Sequence, residues 1–291
     1  MLNNFTEIFT ESFQVLKKSI NPVLKVLGIC AGGVAIGTMA ILVSMGPQVF
    51  SAMGDSAQFQ SYMEATSWVN GLLALVFFLA TSLFCYVCYC WGILIIRNKT
   101  LGIEMPLKEV FSEAFRKFWK VLIACCLLGF IIFIVMAAEV TLPFLLLSKD
   151  YAVFAVFLII PLIMITMLLI TPPCFAVFYG LLCREGNFFT ILGESLRLGF
   201  KKWVIIVIFF VLITGICSIP VGMCMGTLMV LLAMANLAIV ANVLYMIVNV
   251  AVGFLSACFF TVLYVNISGM KEQFSVQQMP AEQIPAEQMP Q

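Results

Sequence analysis

The sequence contains no histidine, so any chemistry would need other side chains, such as its carboxylates, thiols and amides. The commonest general base and metal ligand is therefore missing. Glu139 is the one carboxylate inside a predicted span. We expect it at the outer headgroup level, since about 20 helical residues beyond Lys120 cover roughly 30 Å. Asp55, Glu64 and Asp150 are scattered, without the spacing of ligands.

Eleven cysteines fall almost entirely within or beside apolar stretches. Cys85, Cys88 and Cys90 have the short spacing of a metal site, but no histidine or carboxylate lies near them in the sequence. Small, polarizable packing residues are the better interpretation. The sequence therefore predicts no metal site, no cofactor and no catalytic residue.

Two amides and two prolines are predicted to place polar groups at bilayer depth, the amides through their side chains and the prolines through freed backbone carbonyls. Asn242 and Asn249 are seven residues apart and share a helix face, where amides hold helices together or line a polar path. Pro172 and Pro173 disrupt the predicted fourth span and free backbone carbonyls that need partners in a dry medium. We favour helix packing for the amides and keep a solute path beside both features as the alternative.

These groups lie within long, mostly apolar runs. Residues 203–270 contain no charged side chain, residues 26–96 contain two and residues 121–183 contain three. The chain is 63% hydrophobic and 10% charged, which excludes an ordinary soluble domain. A spanning helix needs about 20 apolar residues. We therefore predict an all-α integral membrane protein whose six transmembrane helices form three hairpins. The predicted spans are 23–45, 69–96, 120–146, 152–181, 204–228 and 240–267.

The basic residues predict the orientation. Fourteen of the fifteen fall in segments on one side of these spans, and only Lys149 falls on the other. By the positive-inside rule that side is cytoplasmic, and both termini lie there. Residues 219–239 are predicted as an outer hairpin with a re-entrant or interfacial turn.

Each predicted hairpin follows a cytoplasmic amphipathic segment. Apolar residues recur at helical spacing near residues 5–20, 107–118 and 189–203, opposite charged faces, and each segment ends in a basic pair. Two interpretations stay open: helices that sense anionic lipid on the inner leaflet, or helices that only dock the bundle to the headgroups. The predicted inner-leaflet contacts are Lys17, Lys18, Arg116, Lys117, Trp119, Lys201, Lys202 and Trp203.

One part of the chain resembles a known family. The residues are Pro172-Pro173-Cys174, Arg184-Glu185-Gly186, Glu194-Ser195-Leu196, Gly199 and Lys202-Trp203. This run resembles an element of bacterial multi-pass membrane proteins related to the glycerophosphodiester phosphodiesterase membrane domain, and the layout is similar over residues 5–268. The resemblance implies a bacterial inner-membrane location. It implies no activity, because the hydrolase of fused members is a separate soluble domain.

The predicted organisation is one membrane domain, residues 1–270, followed by a Pro-, Gln- and Glu-rich tail, 271–291, with too little apolar surface to fold. The approximate units of the domain are 4–97, 106–184 and 188–268. The predicted function is that of a non-catalytic inner-membrane protein, in envelope maintenance or as a partner subunit. Its partners are the bilayer, anionic inner-leaflet lipids and a membrane protein, with no nucleic acid. The alternatives are a small-solute transporter or channel and an intramembrane lipid-modifying enzyme.

Overall fold

The computed structural model describes residues 2–45, 68–146, 152–215, 219–234, 238–272 and 274. In these ranges the chain forms eight α-helices. They are α1 (Leu2–Met45), α2 (Trp68–Leu101), α3 (Leu107–Leu146), α4 (Ala152–Cys183), α5 (Phe188–Lys201), α6 (Trp203–Ile213), α7 (Ile219–Met234) and α8 (Ala238–Ile267). The predicted all-α class is confirmed for the residues described.

Five of the described helices are long and apolar enough to cross a membrane. The stretches are Phe5–Ile41, Trp68–Leu101, Leu107–Thr141, Ile159–Cys183 and Val248–Ile267. They overlap the first four predicted spans and the last one. Helices of this length and hydropathy fit a multi-pass integral membrane protein.

Within the predicted fifth span, 204–228, the structure describes parts of two helices, and residues 216–218 between them lie outside the described residues. α6 has 11 residues, two π-helical residues follow it, and α7 begins at Ile219. Residues 219–234 are helical, and the turn of the predicted outer hairpin stays a prediction, because residues 235–237 lie outside the described ranges.

The first two amphipathic segments are not separate helices. Residues 4–20 continue through Pro22 into the first span as part of α1, and residues 107–119 continue into the next span as part of α3. Nothing in the sequence between Lys117 and Val121 ends a helix. Only the third segment stands alone, as α5, because the backbone leaves helical geometry at Lys202 (φ −107°, ψ 19°).

Protein covers much of the apolar face of each amphipathic segment. The ring of Phe9 lies 5.2 Å from that of Phe209 and 5.5 Å from that of Phe259. Val110 of α3 and Ile191 of α5 are buried in the same core. These faces therefore have helix partners, which an apolar stripe in a sequence does not distinguish from lipid.

Among the side chains that the structure describes, burial is concentrated at one end, which we call the basic end because Arg97, Lys117 and Arg184 lie there. The core combines the second halves of α2, α4 and α8 with the first halves of α1 and α3. Toward the other end the large apolar side chains of α2, α3 and α4 are exposed, as Phe78, Phe133 and Phe157 illustrate. An exposed apolar band of this extent marks a surface for lipid or another protein.

The central helices are α2, which packs against α1, α3 and α8, and α8, which also packs against α1 and α7. α3 and α4 pack side by side, and α5 packs along α4. The last contact joins the predicted units 106–184 and 188–268. Most of the predicted tail, at 273 and 275–291, lies outside the described residues.

Candidate functional site: a buried ion cluster and a basic pocket

Three charged side chains meet inside the basic end. Arg97 of α2 and Glu113 of α3 form an ion pair with a nitrogen–oxygen distance of 3.0 Å, and Lys117 lies 2.7 Å from the same carboxylate oxygen. The side chains of Arg97, Glu113 and Lys117 are only 8%, 9% and 6% exposed. Buried charges are found where they are paired and hydrogen-bonded, and this cluster meets both conditions.

The cluster has two cations for one anion, and the end of α4 compensates for the excess. Arg97 Nη1 donates to the Cys183 carbonyl at 3.1 Å, and Lys117 Nζ donates to the Leu182 carbonyl at 2.9 Å. The last carbonyls of a helix are unpaired and carry its negative dipole end. The cluster therefore ties α2, α3 and the end of α4 together.

A second ion pair holds the following turn. Arg184 Nη1 lies 2.8 Å from Glu194 of α5, and its Nη2 donates to the Ser268 carbonyl at 3.3 Å. Gly186, with φ of +145°, lets the chain reverse between α4 and α5. This turn lies against α3, because Lys120 Nζ is 3.4 Å from the Gly186 carbonyl oxygen.

The turn and α3 enclose a cavity of about 270 Å³, which we call the basic pocket. It is lined by Arg116, Lys117, Lys120, Leu181, Arg184, Glu185 and Gly186. Four basic residues and one acidic residue therefore line one small cavity beside the first part of α3 and the end of α4.

The predicted proline break is a packing site. α4 continues as a helix through Pro172 and Pro173, which are buried, so the predicted disruption of the span is not seen. The indole of Trp203 donates to the Leu168 carbonyl at 3.0 Å. That carbonyl is four residues before Pro172, so it is the acceptor that the proline leaves without its helical N–H.

Gly199 makes the close approach at the prolines possible. A Cβ at Gly199 would come within 2.5 Å of the Pro173 Cα atom and 2.9 Å of the Pro172 carbonyl oxygen. Ser195, one turn earlier on α5, stands against Gly180. The later residue of α5 contacts the earlier residue of α4, so α5 is antiparallel to α4. Its small residues Ser195 and Gly199 face α4.

Glu139 is engaged by a neighbouring helix. One carboxylate oxygen accepts a hydrogen bond from the Thr166 hydroxyl of α4. The other oxygen is buried and has no hydrogen-bond partner among the described residues. Glu139 thus joins α3 to α4 far from the basic end; its predicted headgroup level stays a prediction.

The predicted inner-leaflet contacts divide into exposed and covered residues. Lys17, Lys18, Arg116, Trp119 and Lys201 are exposed. Lys202 and Trp203 are half-buried. Lys117 is buried in the ion cluster and does not reach the surface predicted for it. Its position follows from spacing: it lies seven residues after Val110, and so on the buried face of α3.

No described contact joins the predicted amides, Asn242 and Asn249, to Pro172 or Pro173. Asn249 is exposed on α8. Asn242 lies on the same helix, at a position whose side chain the structure does not describe. The predicted outer carboxylates Asp55, Glu64 and Asp150 lie outside the described residues.

Sequence reasoning missed Arg97 and Glu113 as members of a site. It placed Glu113 on the polar face of an amphipathic segment. A signal was present, because Glu113 and Lys117 are one helical turn apart and Arg97 stands at the end of a long apolar helix. Their common partner, the end of α4, is visible only in three dimensions.

A separate, mainly apolar cavity of about 560 Å³ lies between α1, α2 and α8. Seven of its lining residues have hydroxyl or thiol side chains: Cys30, Thr38, Thr81, Ser82, Cys85, Tyr86 and Tyr89. In the described part of the chain, no group of three or more Cys, Asp or Glu side chains is arranged to hold a metal ion.

The chain matches no family model, no curated protein and no solved structure. The site is therefore interpreted from its own residues and geometry.

Proposed function

We propose that this chain is a non-catalytic multi-pass inner-membrane protein that acts as a scaffold in envelope maintenance or as a partner subunit of a membrane complex. One observation carries the proposal: the charged groups in the described core are joined to one another and to helix ends. Arg97, Glu113 and Lys117 tie three helices. Groups committed in this way stabilise a fold rather than act on a solute or a substrate.

The proposed partners are the bilayer and another membrane protein. The exposed apolar surfaces of α2, α3 and α4 support this, since they offer large side chains such as Phe78, Phe133 and Phe157. We also propose a bacterial inner-membrane location with both termini cytoplasmic. The family resemblance and the distribution of basic residues support it.

Transport of a small solute is the second candidate, and the cavity between α1, α2 and α8 favours it. Hydroxyl groups from Thr38, Thr81 and Tyr86 line part of a space of about 560 Å³ within the candidate spans. A path at this depth would need such groups to replace water around the solute.

Flux measurements on reconstituted vesicles test the proposal. The full chain, in vesicles loaded with dyes for protons, potassium and phosphate, is expected to give the same flux as protein-free vesicles. A protein-dependent flux that disappears in Thr38→Val/Thr81→Val, with the fold retained, would favour the transporter. Thr227→Val is the control, because Thr227 is exposed and does not line the cavity, and its hydroxyl, like that of Thr81, bonds a carbonyl of its own helix.

A further inference from the structure

The charges of the basic pocket are not all committed to the fold. Lys117 is bound to Glu113, and Arg184 is bound to Glu194 and to the Ser268 carbonyl. Arg116 is exposed and has no ion pair or hydrogen bond within the part of the chain described. Lys120 makes only the 3.4 Å contact with Gly186. Two cations therefore face the pocket with capacity for an anion.

The helix that begins beside the pocket also favours negative charge. α5 starts at Phe188, two residues after Gly186, and its N-cap residue Asn187 makes no side-chain capping hydrogen bond. The first turn of α5 contains no acidic residue. The N–H groups of such a helix start are unpaired, and their dipole attracts anions. The positive end of the α5 dipole therefore attracts an anion in the same direction as Arg116 and Lys120.

The pocket lies where the uncharged segments of α3 and α4 meet basic residues. Residues 121–138 of α3, directly after Lys120, contain no charged residue, and residues 151–183, directly before Arg184, contain none. If these helices span a bilayer, the pocket lies at headgroup depth. Basic pockets between spans at the cytoplasmic side suit phosphate headgroups.

We propose that the basic pocket binds a phosphate group, held by Arg116 and Lys120 and supplied by an anionic lipid headgroup or by free phosphate. Arginine and lysine form charge-assisted hydrogen bonds with phosphate oxygens. Lys117 and Arg184 are paired with Glu113 and Glu194, and the Glu185 carboxylate also lines the pocket, so the unpaired positive charge comes from Arg116 and Lys120. The sequence predicted only a general contact between basic helix faces and anionic lipid, whereas this site binds one phosphate group at named residues. The proposal does not depend on whether the chain is a scaffold or a transporter.

Thermal unfolding of the full chain in a neutral detergent tests the site. Three probes are titrated separately: short-chain phosphatidylglycerol, inorganic phosphate and short-chain phosphatidylcholine. The variant is Arg116→Ala/Lys120→Ala. The control is Lys108→Ala/Arg197→Ala, which removes the same charge from exposed positions outside the pocket. Lys120→Arg keeps the charge and should retain binding.

We expect phosphatidylglycerol to raise the midpoint of the wild type and of the control, and the pocket variant to lose apparent affinity roughly tenfold or more. A response to phosphatidylglycerol alone would identify a lipid headgroup as the source. A response to inorganic phosphate as well would show that the phosphate group suffices. Equal losses in both double variants, equal effects of phosphatidylcholine, or no response of the wild type to either anion would overturn the proposal.

Discussion

At the scale of single residues, the buried charges explain how the basic end holds together. Glu113 neutralises two cations that would otherwise be buried without a counter-ion. Removing one member of a buried ion network costs more than the network contributes, because the remaining charges stay desolvated and unpaired.

Glu113→Ala should therefore destabilise the protein strongly, by about 3 kcal/mol or more. Glu109→Ala is the matched control, since Glu109 is an exposed carboxylate on the same helix, and we expect it to change stability by less than about 0.5 kcal/mol. Thermal unfolding in detergent measures both. Similar midpoints for the two variants would contradict a structural role of the cluster.

The Glu139–Thr166 hydrogen bond allows a second residue-scale test. Thr166→Val removes the donor and keeps the shape, and should cost about 1 kcal/mol. Thr141→Val is the control, because the Thr141 hydroxyl bonds only carbonyls of its own helix. If the two variants unfold at the same temperature, the contact does not hold α3 to α4.

At the scale of helices, the junction of α4 with α5 depends on close backbone contact. Gly199→Ala would drive a Cβ into Pro173 backbone atoms, which cannot move as a flexible side chain can. Gly193→Ala on the same helix meets nothing within 4 Å. It should be neutral or stabilising by up to about 1 kcal/mol, since alanine favours helix. Gly199→Ala should lower the unfolding midpoint, and an equal response of the two variants would exclude the tight junction.

The hydrogen bond from Trp203 should matter only while Pro172 is present. Trp203→Phe removes the donor to the Leu168 carbonyl and should cost about 1 kcal/mol. In a Pro172→Ala background, residue 172 regains an N–H for that carbonyl, so Trp203→Phe should cost less. A double-mutant cycle measures this coupling. A coupling energy of zero would show that the indole does not compensate for the proline.

The helices were predictable from the sequence to different degrees. Charge-free runs predicted α2 and α4 well, because length and hydropathy alone define a spanning helix. The sequence did not reveal that residues 4–20 and α5 pack against other helices, since an apolar stripe has the same pattern whether lipid or protein covers it.

The candidate site was less predictable than the helices. Arg116 and Lys120 were recognisable as basic residues beside a span. That they share a pocket with Arg184 depends on the antiparallel packing of α3 and α4 and on the turn at Gly186. Such a site combines residues more than 60 positions apart, and no local pattern reports it.

At the scale of the whole molecule, ion pairs and hydrogen bonds join the helices at the basic end, and the other parts of these helices expose apolar side chains. This division fits a chain that crosses a membrane and presents its basic end on one side. Five described helices are long enough to cross, while the region from α6 to α7 decides whether the number of crossings is odd or even. Six crossings, as proposed, put both termini on the cytoplasmic side.

Single-cysteine labelling in intact cells tests this arrangement most directly. In a cysteine-free variant, one cysteine is placed at position 58, at position 104 or at position 288, and an impermeant thiol reagent is applied before and after permeabilisation. Glu104 is a suitable site because its side chain is 92% exposed. We expect position 58 to react at once, and positions 104 and 288 to react only after permeabilisation. Immediate labelling at 288 with protection at 104 would show an odd number of crossings after α2, and immediate labelling at 104 would contradict the orientation itself.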